Sequence, residues 1–360
     1  MMADGAFGLT KALERETAGV WAKVKDHVTP LEWPAQAALI SEINALKRER
    51  NAVILAHNYM TPDIFHGVGD YVGDSLGLAK EAARSDARVI VQAGVHFMAE
   101  TSKILSPDKT VLIPDPLAGC SLATSITGSD VRLIKARYPG LPVVTYVNTT
   151  ADVKAETDIC CTSANAVQVV EWAAREWGVD RVILIPDEFL ARNVAAQTSV
   201  GIIAWKGRCE VHERFTAADI AEMRAAWPEA EILAHPECPE EVLSAADFAG
   251  STAAMSDYVE QRKPRQVVMI TECSMASNVA ADAPGTQFIG PCNMCPHMKR
   301  ITLLNIRDCL RHMQFEVTVP EDLAERGRLA VQRMIDLPPP TIPARYDLVR
   351  ARHHVAVELI

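Results

Sequence analysis

Three apolar runs along this chain end in the same way. Val53, Ile54 and Leu55 lead into His57, Asn58 and Tyr59; PVVTYVNT (142–149) ends in Tyr146 and Asn148; EILAHPEC (231–238) ends in His235 and Glu237. Short runs rich in β-branched residues predict strands, and here each predicted strand closes on polar groups. His57, Tyr146 and His235 are spaced 89 residues apart, twice over. A fixed internal period marks a repeated structural unit.

The same order of landmarks follows each anchor. A small hydroxyl residue opens a predicted helix: Ser75 in GDSLGLAKEA, Ser163 in CCTSANAVQVV and Thr252 in AGSTAAMSDYV. A second apolar run follows (ARVIVQAG, DRVILIPD, RQVVMITE), then an alanine-centred motif around Ala99, Ala191 and Ala276. Each unit then delivers a cysteine, Cys120, Cys209 or Cys295, lying 63, 63 and 60 residues after its anchor. Strands alternating with helices predict parallel βαβ units, and strands apolar on both faces predict sheets covered by helices on both sides.

The expected fold class is therefore α/β, with three homologous αβα sandwich repeats whose parallel sheets are arranged around a pseudo-threefold axis. The expected divisions are a helical extension over 1–48, repeats over 49–137, 138–226 and 227–316, and a C-terminal helix and tail over 317–360. PLEWPAQAALISEINALKRER carries helical periodicity in the extension, and PEDLAERGRLAVQRMIDL (320–337) reads as a helix with an acidic first turn, stopped by PPPTIP (338–343).

The 360 residues are 49% hydrophobic and 23% charged, as in a globular protein, with a net charge of −10 that argues against a nucleic-acid surface. Charges break up residues 1–30, leaving no signal-peptide core, and no apolar run approaches the length of a membrane span. A cytoplasmic location, without membrane or nucleic-acid partners, is expected. The nine cysteines are then expected to stay reduced, and clustered ones to bind metal or catalyse. P-loop and GxGxxG signatures are absent.

The repeat singles out Cys120, Cys209 and Cys295. Three thiolates from three units suit a [4Fe–4S] cluster with one iron free of protein, open to act as a Lewis acid. Zinc competes for Cys292-x-x-Cys295, although a second CxxC is missing and Cys160 and Cys161 are adjacent. Cys238, Cys273 and Cys309 are expected to be small buried hydrophobes. His57, Tyr59, Tyr146, Asn148, His235 and Glu237 would ring the centre as acids, bases and donors. Ser75, Ser163 and Thr252 would hold anions at helix starts, and His212, three residues after Cys209, is a further candidate.

On the motifs AHNYM, GDSL, AGVHFMAET, PLAGCSLA, YVNTTADVKAETDICCTSANA, IPDEFLARNVA, GRCEVHERF, HPEC, GST and CPHMKRITL, the chain from about 50 to 310 resembles the quinolinate synthase family. That resemblance implies three homologous αβα domains and one [4Fe–4S] cluster, with ligands at Cys120, Cys209 and Cys295. It implies substrate-binding positions at His57, Ser75, Tyr146, Val147, Asn148, Ser163, His235, Pro236, Glu237 and Thr252. It also implies condensation of iminosuccinate, supplied by an aspartate oxidase or dehydrogenase, with dihydroxyacetone phosphate to give quinolinate for NAD biosynthesis. His57, Tyr59, Tyr146 and Glu237 are the expected proton-moving residues. One departure is visible: some members carry a CxxCxxC run before the third ligand, whereas here only Cys292 precedes Cys295. The alternatives are another three-lobed iron–sulfur enzyme, radical or reductive, and a non-catalytic iron–sulfur sensor; neither an adenosylmethionine pocket nor a DNA-binding element is evident.

Overall fold

A computed structural model describes residues 9–338 and 356–360. It contains three parallel sheets, each built from successive stretches of chain. The first comprises β1 (Ala52–His57), β2 (Tyr71–Gly73), β3 (Val89–Ala93) and β4 (Thr110–Leu112). The second comprises β5 (Val143–Tyr146), β6 (Ile159–Cys161), β7 (Arg181–Ile185) and β8 (Gly201–Ala204), and the third β9 (Glu231–Ala234), β10 (Phe248–Ala249), β11 (Gln266–Ile270) and β12 (Gln287–Ile289). Counting strands within each unit, all three sheets have the order second, first, third, fourth. The first strand is thus interior in every unit, which is why its core residues Ile54, Val144 and Ile232 are fully buried. In such an order the crossovers diverge on either side of the first strand, leaving a crevice beyond its carboxyl end. His57 and Tyr146 are the last residues of β1 and β5, and His235 directly follows β9.

Two further devices recur. An aspartate entering each second strand accepts a first-strand N–H: Asp70 from Ile54, Asp158 from Val143 and Asp247 from Ile232, each at 2.8 Å. Lys47, Lys135 and Arg224 pair with these carboxylates. The closing helices Gly128–Arg137, Ala217–Ala226 and Leu303–His312 each start from a capping box, on Thr127, Thr216 and Thr302.

The N-terminal extension holds two helices where the periodicity predicts one. Lys11–Val24 and Trp33–Arg50 meet through the Trp21 and Trp33 rings, 4.9 Å apart. Residues 1–8 lie outside the described residues. The helix Glu321–Asp336 bridges the first two units: Arg328 Nε donates to the Ile104 carbonyl and an Arg333 guanidinium N–H to that of Asp158. This helix ends within the described chain, but residues 339–343 of the proline-rich stop lie outside it. The tail contributes an unpredicted fifth strand to the second sheet, β13 (Val357–Leu359), parallel to β8. Among the described residues no helix is long and apolar enough to cross a membrane.

Candidate active site

The carboxyl ends of the three sheets open into one cavity. Of the residues singled out by the sequence, His57, Tyr59, Ser75, Tyr146, Asn148, Ser163, His235, Glu237 and Thr252 line it, as do His212 and the three cysteines Cys120, Cys209 and Cys295. Val147 and Pro236 are buried beside the cavity without lining it. The three cysteines are half-buried free thiols, whereas the other four free cysteines, Cys160, Cys161, Cys238 and Cys309, are fully buried. Among the described residues no Lys or Arg lines the cavity; neutral donors and helix ends are what those residues offer an anion there.

Ser75 and Thr252 open their helices, whose caps are Asp74 and Ser251. Ser163 does not: its helix begins at Ala166. Asn165 Oδ1 accepts the Thr162 N–H at 2.8 Å, closing a turn that delays the helix. Ser163 Oγ instead lies 3.4 Å from His235 Nε2.

Glu237 is the hub. The Tyr146 hydroxyl donates to its Oε1 at 2.5 Å, and His212 Nδ1 lies 2.6 Å from its Oε2. Burial opposes ionisation of Glu237, but the His235 and His212 rings and the hydrogen bonds from His212 and Tyr146 outweigh it and hold the carboxyl below the ordinary range. Burial moves both imidazoles at strand ends the other way, His57 to about 4 and His235 to about 3. Both rings are therefore neutral near pH 7. His57 Nδ1 accepts the Tyr59 N–H and His235 Nδ1 the Glu237 N–H, so each ring carries its proton on Nε2. Burial, with Glu237 next, raises both phenols, Tyr59 and Tyr146, well above their ordinary value. Asn148 Oδ1 is buried without a hydrogen-bond partner among the described residues, an acceptor open to a ligand donor.

The cysteine loops are tied to one another. Ser121 Oγ donates to the Arg208 carbonyl and accepts the Glu210 N–H, both at 3.1 Å, and His297 pairs with Glu210 at 2.8 Å. Gly207, two residues before Cys209, lies so close to its neighbours that a Cβ would sit 2.5 Å from the Pro186 carbonyl oxygen and 2.6 Å from Ser125 Oγ. Burial pushes the Cys120 thiol up to about 12 and raises those of Cys209 and Cys295 as well.

The sequence reading missed four groups. Thr271 lies 2.8 Å from the Tyr59 hydroxyl; Glu272 pairs with Lys299 at 2.7 Å; Lys299 also donates to the Tyr59 carbonyl; and Asp187, buried near Glu237, caps the helix Glu188–Ala195. Asp187 and Glu272 both follow a third strand and precede an alanine-centred motif, a recurrence readable in DEFLARN and ECSMASN. The expectation of nine reduced cysteines, with Cys273 in the core, is corrected. The half-buried Cys273 and the exposed loop residue Cys292 form a disulfide, their Cα atoms 4.9 Å apart. The end of the third sheet and the loop entering Cys295 run side by side, joined by the Glu272–Asn293 bridge, and so bring the two thiols together.

The Quinolinate synthetase A protein family model matches residues 41–336. The quinolinate synthase of Caulobacter vibrioides (strain NA1000 / CB15N) is 79% identical over 351 residues, covering 98% of this chain and 96% of that protein. That of Sinorhizobium fredii (strain NBRC 101917 / NGR234) is 60% identical over 91% of this chain and 90% of its own length. That of Xylella fastidiosa (strain 9a5c) is 62% identical over 82% of this chain and 86% of its own length.

Proposed function

The chain belongs to the quinolinate synthase family of enzymes, and from that membership we propose that it condenses iminosuccinate with dihydroxyacetone phosphate. The products are quinolinate, one phosphate and two waters, with no net redox change. The reaction serves NAD biosynthesis in the cytoplasm, fed by an aspartate oxidase or dehydrogenase. The observation that carries the reading is the convergence of three strand ends and three unpaired thiols, one thiol from each unit, on a single cavity.

Cys120, Cys209 and Cys295 would hold a [4Fe–4S] cluster. Their donor set fits it: three thiols, free of disulfides, open to one space. Among the described residues, the ligand atoms that crowd within 4.8 Å of one another are those of Cys209, His212 and Glu237, not those of the three cysteines. A single tetrahedral zinc would draw three sulfurs to about 3.8 Å of one another, given its ~2.3 Å bonds; the wider arrangement favours a cluster. When bound, the cluster supplies an open iron as a Lewis acid for a substrate oxygen.

The residues of the chain do the rest. Ser75 and Thr252, at helix starts, and the Nε2–H groups of His57 and His235 bind the carboxylate and phosphate oxygens without a fixed cation. Asn148 offers its unpaired carbonyl to a substrate N–H or O–H. Glu237, ionised and gripped by Tyr146 and His212, takes the proton that each dehydration releases. Tyr59 and Tyr146, protonated at neutral pH, orient the reacting groups. The test is an anaerobic assay with iminosuccinate and dihydroxyacetone phosphate, alongside iron and sulfide counts. Quinolinate formation with about four irons per chain is expected. Zinc in place of iron after iron-replete anaerobic expression would overturn the cluster assignment.

A further inference from the structure

We propose that Lys154 is a positioning residue: its buried amino group staples the turn that carries Asn148, and so aims the Asn148 side-chain carbonyl at a substrate hydroxyl or an imine or enamine N–H. The proposal rests on the function given above.

Each unit carries a cavity-lining residue two positions after its anchor: Tyr59, Asn148 and Glu237. Two of these turns are fixed by their own backbone and anchor. The Met60 N–H donates to the His57 carbonyl and the Cys238 N–H to the His235 carbonyl, both at 2.9 Å. The two anchor imidazoles accept the N–H groups of Tyr59 and Glu237. The second unit is built differently. Its anchor, Tyr146, has no ring nitrogen to accept an N–H. The Thr149 N–H turns back to the Val147 carbonyl at 2.7 Å, which closes a tighter, three-residue turn with Asn148 at its apex.

Lys154 supplies what this turn lacks. It lies in the helix Ala151–Ala155 and is fully buried. Its Nζ donates to the Val147 carbonyl at 2.9 Å and to the Thr149 carbonyl, one on each side of Asn148. Carbonyl oxygens only accept, so Nζ is the donor in both bonds whatever its charge. The same staple recurs in the first unit: Asn278 Nδ2 donates to the Asn58 and Met60 carbonyls at 2.9 and 2.8 Å, one on each side of Tyr59. In the third unit Pro236, whose ring fixes its own φ, precedes Glu237. Lys154 Nζ also lies 5.5 Å from the centre of the Phe97 ring, a cavity-lining residue of the first unit. The stapled Asn148 keeps one free end. Its Nδ2 lies 3.5 Å from Glu237 Oε1, while its Oδ1 is buried without a hydrogen-bond partner among the described residues. Such an acceptor is matched by a ligand donor, and whether the two meet depends on where the turn holds it.

The test combines hydrogen exchange with kinetics. Lys154→Met keeps the length of the side chain and removes the donor. In the anaerobically purified protein without substrate, backbone exchange over 147–150 should become about tenfold faster, with iron content and circular dichroism unchanged. The ratio kcat/KM should fall about tenfold, the size of one lost hydrogen bond. Lys154→Gln brings the carboxamide donor that Asn278 uses, one bond shorter, and should recover part of both losses; it takes the place of the Met variant in each measurement if that variant does not fold. In an Asn148→Ala background, Lys154→Met should cost less than about twofold more, since both changes disable one device. Unchanged exchange over 147–150, or losses that multiply in the double variant, would overturn the proposal. A wild-type protein that makes no quinolinate would instead sink the assigned reaction, while the exchange measurement would still decide whether Lys154 holds the turn.

Discussion

Glu237 concentrates the chemistry of single residues. Glu237→Gln keeps the shape of the side chain and one hydrogen bond but cannot accept a proton. Turnover at saturating substrate should fall by about 10²–10⁴-fold with iron content intact. A near-normal saturated rate would remove it from the proton-moving set. The two strand-end imidazoles make acid sensitivity a second residue-scale consequence. His57 titrates at about 4 and His235 at about 3, against the ordinary 6.5 of an unfolded chain. Below pH 6.5 the unfolded chain therefore binds protons that the folded one refuses. Stability is complete above that pH and is lost as pH falls toward 4, at up to about 1.4 kcal/mol per pH unit for each ring. Urea unfolding of wild type and His57→Gln between pH 7 and 4.5 should show a shallower loss in the variant; parallel curves would remove His57 from the account. The anchors His57, Tyr146 and His235 were legible because a period of 89 residues lifts them above chance. Thr271 was not legible. A lone threonine after an apolar run has no periodic partner, and its contact with the Tyr59 hydroxyl arises only where β11 and the turn after β1 meet.

Elements show where the repeat was easier to read than its consequences. The apolar runs and the alternation with helices were enough to find the first and third strands of each unit, because fully buried parallel strands leave an unbroken hydrophobic record. The short second strands left little record of their own; Phe248–Ala249 is two residues long. They are held by the aspartates Asp70, Asp158 and Asp247, a signal that stood in the sequence 15 or 16 residues after the paired first-strand N–H. The Cys273–Cys292 disulfide was hidden because spacing in sequence says little about two segments brought alongside in space. The Cys209 loop yields an element-scale prediction. Gly207→Ala inserts a methyl group where no room exists, so the loop must shift. Iron content should drop sharply while the circular dichroism of the fold is retained. Full iron occupancy in that variant would mean that the loop tolerates displacement and that its close packing does not position Cys209.

At the scale of the molecule, three sheets of one topology share a single site that none contains alone. Cys120→Ala, Cys209→Ala and Cys295→Ala should therefore be equivalent, each abolishing both cluster and activity, whereas Cys292→Ala should keep the cluster. Iron and sulfide counts on the four anaerobically prepared variants check this, and loss of the cluster in the Cys292 variant with retention in the Cys295 variant would reverse the assignment. The way Glu321–Asp336 straps the first two units, and the return of β13 to the second sheet, were beyond sequence reading, since both depend on contacts across more than 150 residues.

The distribution of the three thiols along the chain also sets a schedule. Domains emerge and fold in order from the ribosome, and the last thiol, Cys295, lies in the final fifth of the 360 residues. A nascent chain holding Cys120 and Cys209 has two arms of a three-armed grip and nothing to close it. If the three thiols hold the proposed cluster, its loading is confined to chains that are nearly complete, and a truncated translation product, however well its first two units fold, would draw no cofactor out of the cell's supply.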